Sequence, residues 1–170
     1  MPEPLLFLSH RLPYPPNKGD KVRSYHMLRH LAKSHDVFLG TFIDDPEDRR
    51  HVDAVRPWCA DVLAGQIVAW RSKLRSLRGF ATGTALTLPY YRDAALRTWI
   101  DRTVREHEIR RVFIYSSALA QFVIDDPRLS CVVDFVDIDS DKWRQYAEGR
   151  RWPQSFVYRR ESEKLLRFER

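Results

Sequence analysis

Glycine and cysteine are both scarce in this chain, which has six glycines and two cysteines among 170 residues. So little glycine, with ten prolines scattered rather than clustered, excludes collagen-like repeats and low-complexity linkers. Cys59 and Cys131 stand alone, without CxxC spacing, which excludes a disulfide scaffold and a thiolate metal site. Cys131 lies in a predicted strand and is expected to be a buried, reduced thiol. No apolar run approaches the roughly 20 residues of a membrane span. The start, Met1-Pro2-Glu3-Pro4, lacks a basic n-region, so no secretory leader is expected. G-x-S-x-G, H-E-x-x-H and Cys/His clusters are all missing, which argues against self-contained hydrolysis by those routes. These absences favour the cytoplasm. At 44% hydrophobic, residues 1–170 can bury one good core and are expected to form a single domain.

Charge is unevenly spread. Residues 1–70 hold nine Lys/Arg and nine Asp/Glu, and residues 112–170 hold ten of each. Residues 71–111 hold ten Lys/Arg against four Asp/Glu, so the whole net charge of +6 lies in about forty residues. A concentrated basic excess is the footprint of an anionic partner. Within it, the spacing predicts a helix over 70–81, with Trp70, Leu74, Leu77 and Ala81 on one face and Arg71, Arg75 and Arg78 on the next. Such a helix suits the surface of an anionic membrane, with Trp70, Arg71, Arg75 and Arg78 as contacts. The alternative is a surface helix packing its apolar stripe on the core. No nucleic-acid motif or aromatic stacking platform is present, so nucleic acid is not expected as a partner.

Strand and helix patterns alternate. Strands are expected at 5–9, 37–42, 61–68, 111–115 and 131–136. Helices are expected at 21–34 (Val22, Tyr25 and Leu28 inward), 49–56, 70–81, 93–107 (Leu96, Trp99, Ile100 and Val104 inward), 118–123, after Ser140, and from about 155 to the end. The fold class expected is α/β: a Rossmann-like, doubly wound, mostly parallel sheet with helices on both faces.

The first βα connection carries the chemistry. A short apolar strand runs through Ser9-His10-Arg11-Leu12-Pro13-Tyr14-Pro15-Pro16-Asn17-Lys18 to Gly19 and a helix start at Asp20, expected to be its cap. A strand's carboxyl end meeting a helix N-terminus is where α/β proteins bind anions, and Lys18, Lys21 and Arg23 add positive charge there. The reading as an ordinary proline-stiffened connection stays open. Ser116 and Ser117 end a neighbouring strand, where they can hydrogen-bond a ligand hydroxyl or cap the next helix. His10 sits at the loop mouth as a lone histidine. Asp134, Asp137, Asp139 and Asp141 follow or end another apolar strand. They are open to three readings: acids facing the cleft, a Mg²⁺-dependent phosphotransfer or GT-A-like site built on Asp137 and Asp139, and helix capping by Asp139 or Ser140.

The segment Leu12-Pro13-Tyr14-Pro15-Pro16-Asn17-Lys18-Gly19-Asp20-Lys21-Val22-Arg23-Ser24-Tyr25-His26 resembles the opening of bacterial glycosyltransferase family 4 enzymes. The branch is the one associated with exopolysaccharide and exosortase systems. Val132-Val133-Asp134-Phe135-Val136-Asp137-Ile138-Asp139-Ser140-Asp141-Lys142-Trp143 and the strand Arg111-Val112-Phe113-Ile114-Tyr115-Ser116-Ser117 carry the likeness across most of the chain. It implies the N-terminal, acceptor-side half of a two-domain GT-B enzyme, with the donor-binding C-terminal domain absent from this sequence and the fragment inactive alone. It implies retaining, metal-independent transfer of a sugar from a nucleotide-sugar to a lipid-linked or polysaccharide acceptor, with no cofactor or metal. It places the enzyme in the cytoplasm, peripheral at the inner face of the plasma membrane. Lys18, Gly19 and Arg23 would then lie near the donor diphosphate, Ser116 and Ser117 near substrate, and Asp137 and Asp139 on the catalytic, acceptor side. Many family members carry paired glycines where this chain has Gly19-Asp20, and a carboxylate repels a diphosphate, so Asp20 is not expected to touch it. The remaining alternative is a non-catalytic anion- or membrane-binding α/β module.

Overall fold

The computed structural model describes residues 2–170. The chain runs β1 (Glu3–Ser9), α1 (Gly19–Leu31), β2 (His35–Ile43), a 3-10 turn (Pro46–His51), α2 (Val52–Val55), a second 3-10 turn (Arg56–Trp58) and β3 (Asp61–Gln66). Three short helices follow, α3 (Ala69–Ser76), α4 (Arg78–Thr82) and α5 (Thr87–Tyr90), and then the longer α6 (Ala94–Glu106). The remainder is β4 (Arg111–Tyr115), a 3-10 turn (Ser117–Phe122), β5 (Ser130–Asp134), α7 (Asp139–Glu148) and α8 (Gln154–Glu169). Two compact units result: residues 2–68 with Asp93–Asp134, and Ala69–Arg92 with Phe135–Arg170.

The first unit is a five-stranded sheet in the order β3-β2-β1-β4-β5, with every neighbouring pair parallel. Parallel neighbours require crossover connections, and within this unit α1 and α6 pack on the sheet. This is the Rossmann-like, doubly wound α/β fold. β1 is the middle strand and is covered on both faces, so Leu5, Leu6, Phe7 and Leu8 are all buried without alternation. β2 is buried likewise from Val37 to Ile43. Gly40 is needed there, because a Cβ at that position would stand 2.8 Å from Leu8 Cδ2 and 3.1 Å from Leu96 Cδ1. α6 buries Leu96, Trp99, Ile100 and Val104 as its spacing predicts. Its N-cap, Asp93, accepts a hydrogen bond from the Leu96 N–H at 2.8 Å.

α1 departs from expectation. Its buried residues are Lys21, Ser24 and Leu28, whereas Val22 is exposed. The cause is an ion pair beneath the helix: Lys21 Nζ donates to Asp48 in the first 3-10 turn, with both residues buried. The helix expected at 49–56 is half α-helix, Val52–Val55, between two 3-10 turns, and the one at 118–123 is a 3-10 turn of nearly all buried residues. Cys131 is half-buried rather than buried, because β5 is an edge strand.

The second unit is helical. α7 and α8 pack through Trp143, Tyr146 and Tyr158, with the Trp143 and Tyr158 rings 5.1 Å apart. Glu161 of α8 is buried and receives the N–H groups of Leu86 and Thr87 at 2.6 and 2.8 Å, together with the Thr87 hydroxyl at 2.7 Å. A carboxylate thus caps the start of α5 from across the unit. The helix expected at 70–81 is broken at Leu77 into α3 and α4, and its interior is reversed. Ser72 and Gly79 are buried, while Trp70, Leu74, Leu77 and Phe80 are exposed. Packing of the apolar stripe on the core is therefore ruled out.

The Lys21–Asp48 pair generates a stability test. Lys21→Met leaves a buried carboxylate uncompensated and is expected to cost about 3–5 kcal/mol in urea unfolding. Lys21→Met with Asp48→Leu together is expected to recover most of that loss. A single-variant cost under about 1 kcal/mol would show that water screens the pair.

Candidate functional site at the carboxyl ends of the strands

In this order strands are added outward from β1 first on one side and then, from β4, on the other, so the loops after β1 and β4 part and leave a crevice at the carboxyl edge. Ser9 pairs in register with Thr41 on one side and Tyr115 on the other, which sets the polar rim of that edge. Leu12 N–H donates to the Phe42 carbonyl at 2.9 Å, fastening the β1–α1 loop to the end of β2. Ser9 Oγ donates to the Arg11 carbonyl at 2.7 Å.

Asp20 organises the loop. It is the second residue of α1 rather than its cap; the N-cap is Lys18, which makes no side-chain capping bond. Asp20 instead accepts from Arg11 Nη1 at 2.9 Å and lies 3.6 Å from His10 Nε2. Its own carbonyl accepts from the Tyr115 hydroxyl at 2.9 Å, so β4 is tied to α1. His10 stacks on Tyr115 with centroids 5.9 Å apart, and Arg11 Nε also meets Asp44 Oδ2 at 2.7 Å. His10 first and Arg11 with it hold the Asp20 carboxyl well below its ordinary 3.8, against the opposing pull of partial burial. The charge of this carboxylate is therefore engaged within the loop, by the Arg11 guanidinium with His10 beside it. His10, Arg11 and Tyr115 were not grouped by sequence reasoning. A signal existed: His10-Arg11 and Asp44-Asp45 follow adjacent parallel strands, and parallel pairing must bring them together.

Lys18 and Gly19 lie at the open end of α1, exposed. Nothing stands within 4 Å of a Cβ built on Gly19, and its φ is not in the left-handed region. Neither space nor backbone conformation requires glycine there. Arg23, one turn further on, donates to Asp134 Oδ2 at the end of β5 at 2.7 Å, so its charge is shared. Ser116 has φ +91°, a strained value for a residue with a Cβ, and makes no side-chain capping bond. Ser117 is 2% exposed, and its Oγ has no hydrogen-bond partner. The expected capping by these serines is not found.

Asp137 and Asp139 belong to the helical unit, where both face Lys142 Nζ, at 3.7 and 4.0 Å. Neither Asp139 nor Ser140 caps α7. The N-cap is Ile138, and the Ser140 hydroxyl instead donates to Glu169. Among the described residues, no group of three or more His, Cys, Asp or Glu is placed to hold a metal ion. In the same unit, Arg71 lies over the Trp70 ring at 5.2 Å. Arg75 is engaged internally with the carbonyls of Pro89 and Tyr90 at 2.9 and 3.0 Å, while Arg78 is exposed.

Two outcomes follow from this geometry. Because the folded-state pKa of Asp20 is depressed, the stability it contributes is present above about pH 4 and drains away as pH falls below it. The gap in melting temperature between the parent and Asp20→Asn is expected to narrow on acidification; a gap constant with pH would refute the His10 and Arg11 assignment. Ser116→Gly relieves a positive φ and is expected to raise stability by about 1 kcal/mol in urea unfolding.

No protein-family model, curated protein or solved structure matches this chain.

Proposed function

We propose that this chain is the acceptor-side domain of a retaining, metal-independent glycosyltransferase of the GT-B arrangement, in the exopolysaccharide-associated branch of family 4. Its reaction moves a sugar from a nucleotide-sugar to a lipid-linked or polysaccharide acceptor at the inner face of the plasma membrane. The observation that carries the reading is the β1–α1 loop. The residues resembling the family lie at the switch point of an all-parallel sheet, and they end in a helix N-terminus with no side-chain cap.

That geometry suits a diphosphate. First-turn N–H groups and the helix dipole favour negative charge, and Lys18 adds a mobile cation. Gly19 lets phosphate oxygens approach the backbone. Asp20, paired with the Arg11 guanidinium and beside His10, holds the loop shape rather than repelling the ligand. Ser116 and Ser117 are buried at the end of β4 and in this reading shape the wall of the crevice that faces sugar or acceptor. In this reading the acids Asp137 and Asp139 serve the acceptor side. A second Rossmann-like domain holds the nucleotide, and closure of the two domains excludes water from the transfer.

Titration of these 170 residues with UDP- and GDP-sugars is expected to show no micromolar binding. Micromolar binding would put the donor site in this domain and overturn the division of labour. Gly19→Ala in the two-domain enzyme is the sharper probe, since the fold has room for the methyl group. Stability is expected to hold or rise slightly, while kcat/KM for sugar transfer falls by about tenfold, the worth of one hydrogen bond to a charged group. Unchanged transfer would remove the helix N-terminus from the donor site.

A further inference from the structure

The apolar stripe of α3 faces water. Trp70, Leu74 and Leu77, spaced a helical turn apart, are 64, 62 and 53% exposed. The side that packs inward offers Ser72 and the Arg75 guanidinium, which bonds to Ser72 Oγ at 3.2 Å as well as to the carbonyls of Pro89 and Tyr90. A surface helix ordinarily buries its leucines and leaves serine and arginine to solvent. Here the order is inverted. The inversion is built in, because Arg75 is locked inward by three hydrogen bonds.

The surrounding charge identifies what covers the stripe. Helical spacing sets Arg71 and Arg78 along one border and Lys73 along the other, and all three are exposed. Residues Ala69–Arg92 carry five Lys/Arg and no Asp/Glu. The helical unit holds fourteen Lys/Arg against seven Asp/Glu, whereas the sheet unit holds fifteen against sixteen. The positive charge of the protein therefore resides in the unit that bears the outward stripe. A nucleic acid would use the cations but has no use for exposed leucines. A bilayer of anionic lipid uses both, taking apolar side chains at the acyl boundary and cations at its phosphates. No helix among the described residues is long and apolar enough to cross a membrane, so contact of α3 with a bilayer would be in the plane of its surface.

We propose that α3 and the start of α4 form an interfacial anchor for anionic bilayers, with Trp70, Leu74 and Leu77 inserted and Arg71, Lys73 and Arg78 on lipid phosphates. The proposal shares a membrane location with the glycosyltransferase reading but stands on this surface alone, and its test uses no activity. Lys73 takes the place expected of Arg75, which is occupied within the fold.

The test is co-sedimentation with phosphatidylcholine vesicles, with and without phosphatidylglycerol. Binding is expected only to the anionic vesicles and is expected to weaken as salt rises. Arg71→Gln, Lys73→Gln and Arg78→Gln together are expected to weaken it by about a hundredfold, at the usual worth of a cation near anionic lipid. Leu74→Ser with Leu77→Ser is expected to weaken it by more than about tenfold, with an unchanged melting temperature because both side chains are already in water. Should that pair fail to fold, quenching by brominated-chain phosphatidylglycerol decides the matter. Tryptophan emission of the parent is quenched, and less so in Trp70→Phe, if the stripe inserts; equal quenching in both overturns the proposal. It is likewise overturned if the parent ignores anionic vesicles, if it binds heparin in their place, or if the leucine variant folds and binds as well as the parent.

Discussion

Everything in the sheet unit follows from β1 being hydrogen-bonded to two parallel neighbours, β2 and β4. Parallel pairing sends all carboxyl ends to one edge and forces a crossover after each strand. It buries the middle strand on both faces, which demands the unbroken Leu5-Leu6-Phe7-Leu8 run and leaves no room for a side chain at residue 40. The strand order then decides where the crossovers part. The gap falls between β1 and β4, so the loop after Ser9 and the turn after Tyr115 border the same crevice.

Gathering loops at one edge creates an electrostatic problem that the residues there resolve among themselves. Arg11 is shared between Asp20 and Asp44, Arg23 is held by Asp134, and Lys21 is sunk beneath α1 on Asp48. Most of the charge in the loop therefore builds shape. Lys18 and the start of α1 stay open to solvent. The same economy holds in the helical unit, where Glu161 serves as a cap for α5 and Arg75 satisfies carbonyls at its other end. Charged groups turned inward in this way explain how a helix comes to leave its leucines outside.

The fold class, the five strands and the amphipathic face of α6 were legible in the sequence, since each rests on local pattern: apolar runs, helical spacing, and Asp93 as a cap. The strand end at Ser9 and a helix start close to Gly19 were legible for the same reason. Other features were not. Asp20 reads as a cap from the sequence, because Asp before a helical run ordinarily is one; only the approach of Arg11 and His10 turns it into the organiser of the loop. The inward face of α1 was misread because a lysine is not expected in a core until its buried partner, 27 residues away, is known.

By itself the sequence determined the five strands and the longer helices, that the basic excess is concentrated, and that a stripe of Trp70, Leu74 and Leu77 exists. Periodicity and composition are properties of the local chain, and these features depend on nothing else. Tertiary structure alone decided which way that stripe faces. The choice depends on Pro89 and Tyr90, which offer Arg75 two carbonyls, and on Glu161, far along the chain, which holds the start of α5 just before them. An amphipathic helix has two faces, and its neighbours select the one that is buried.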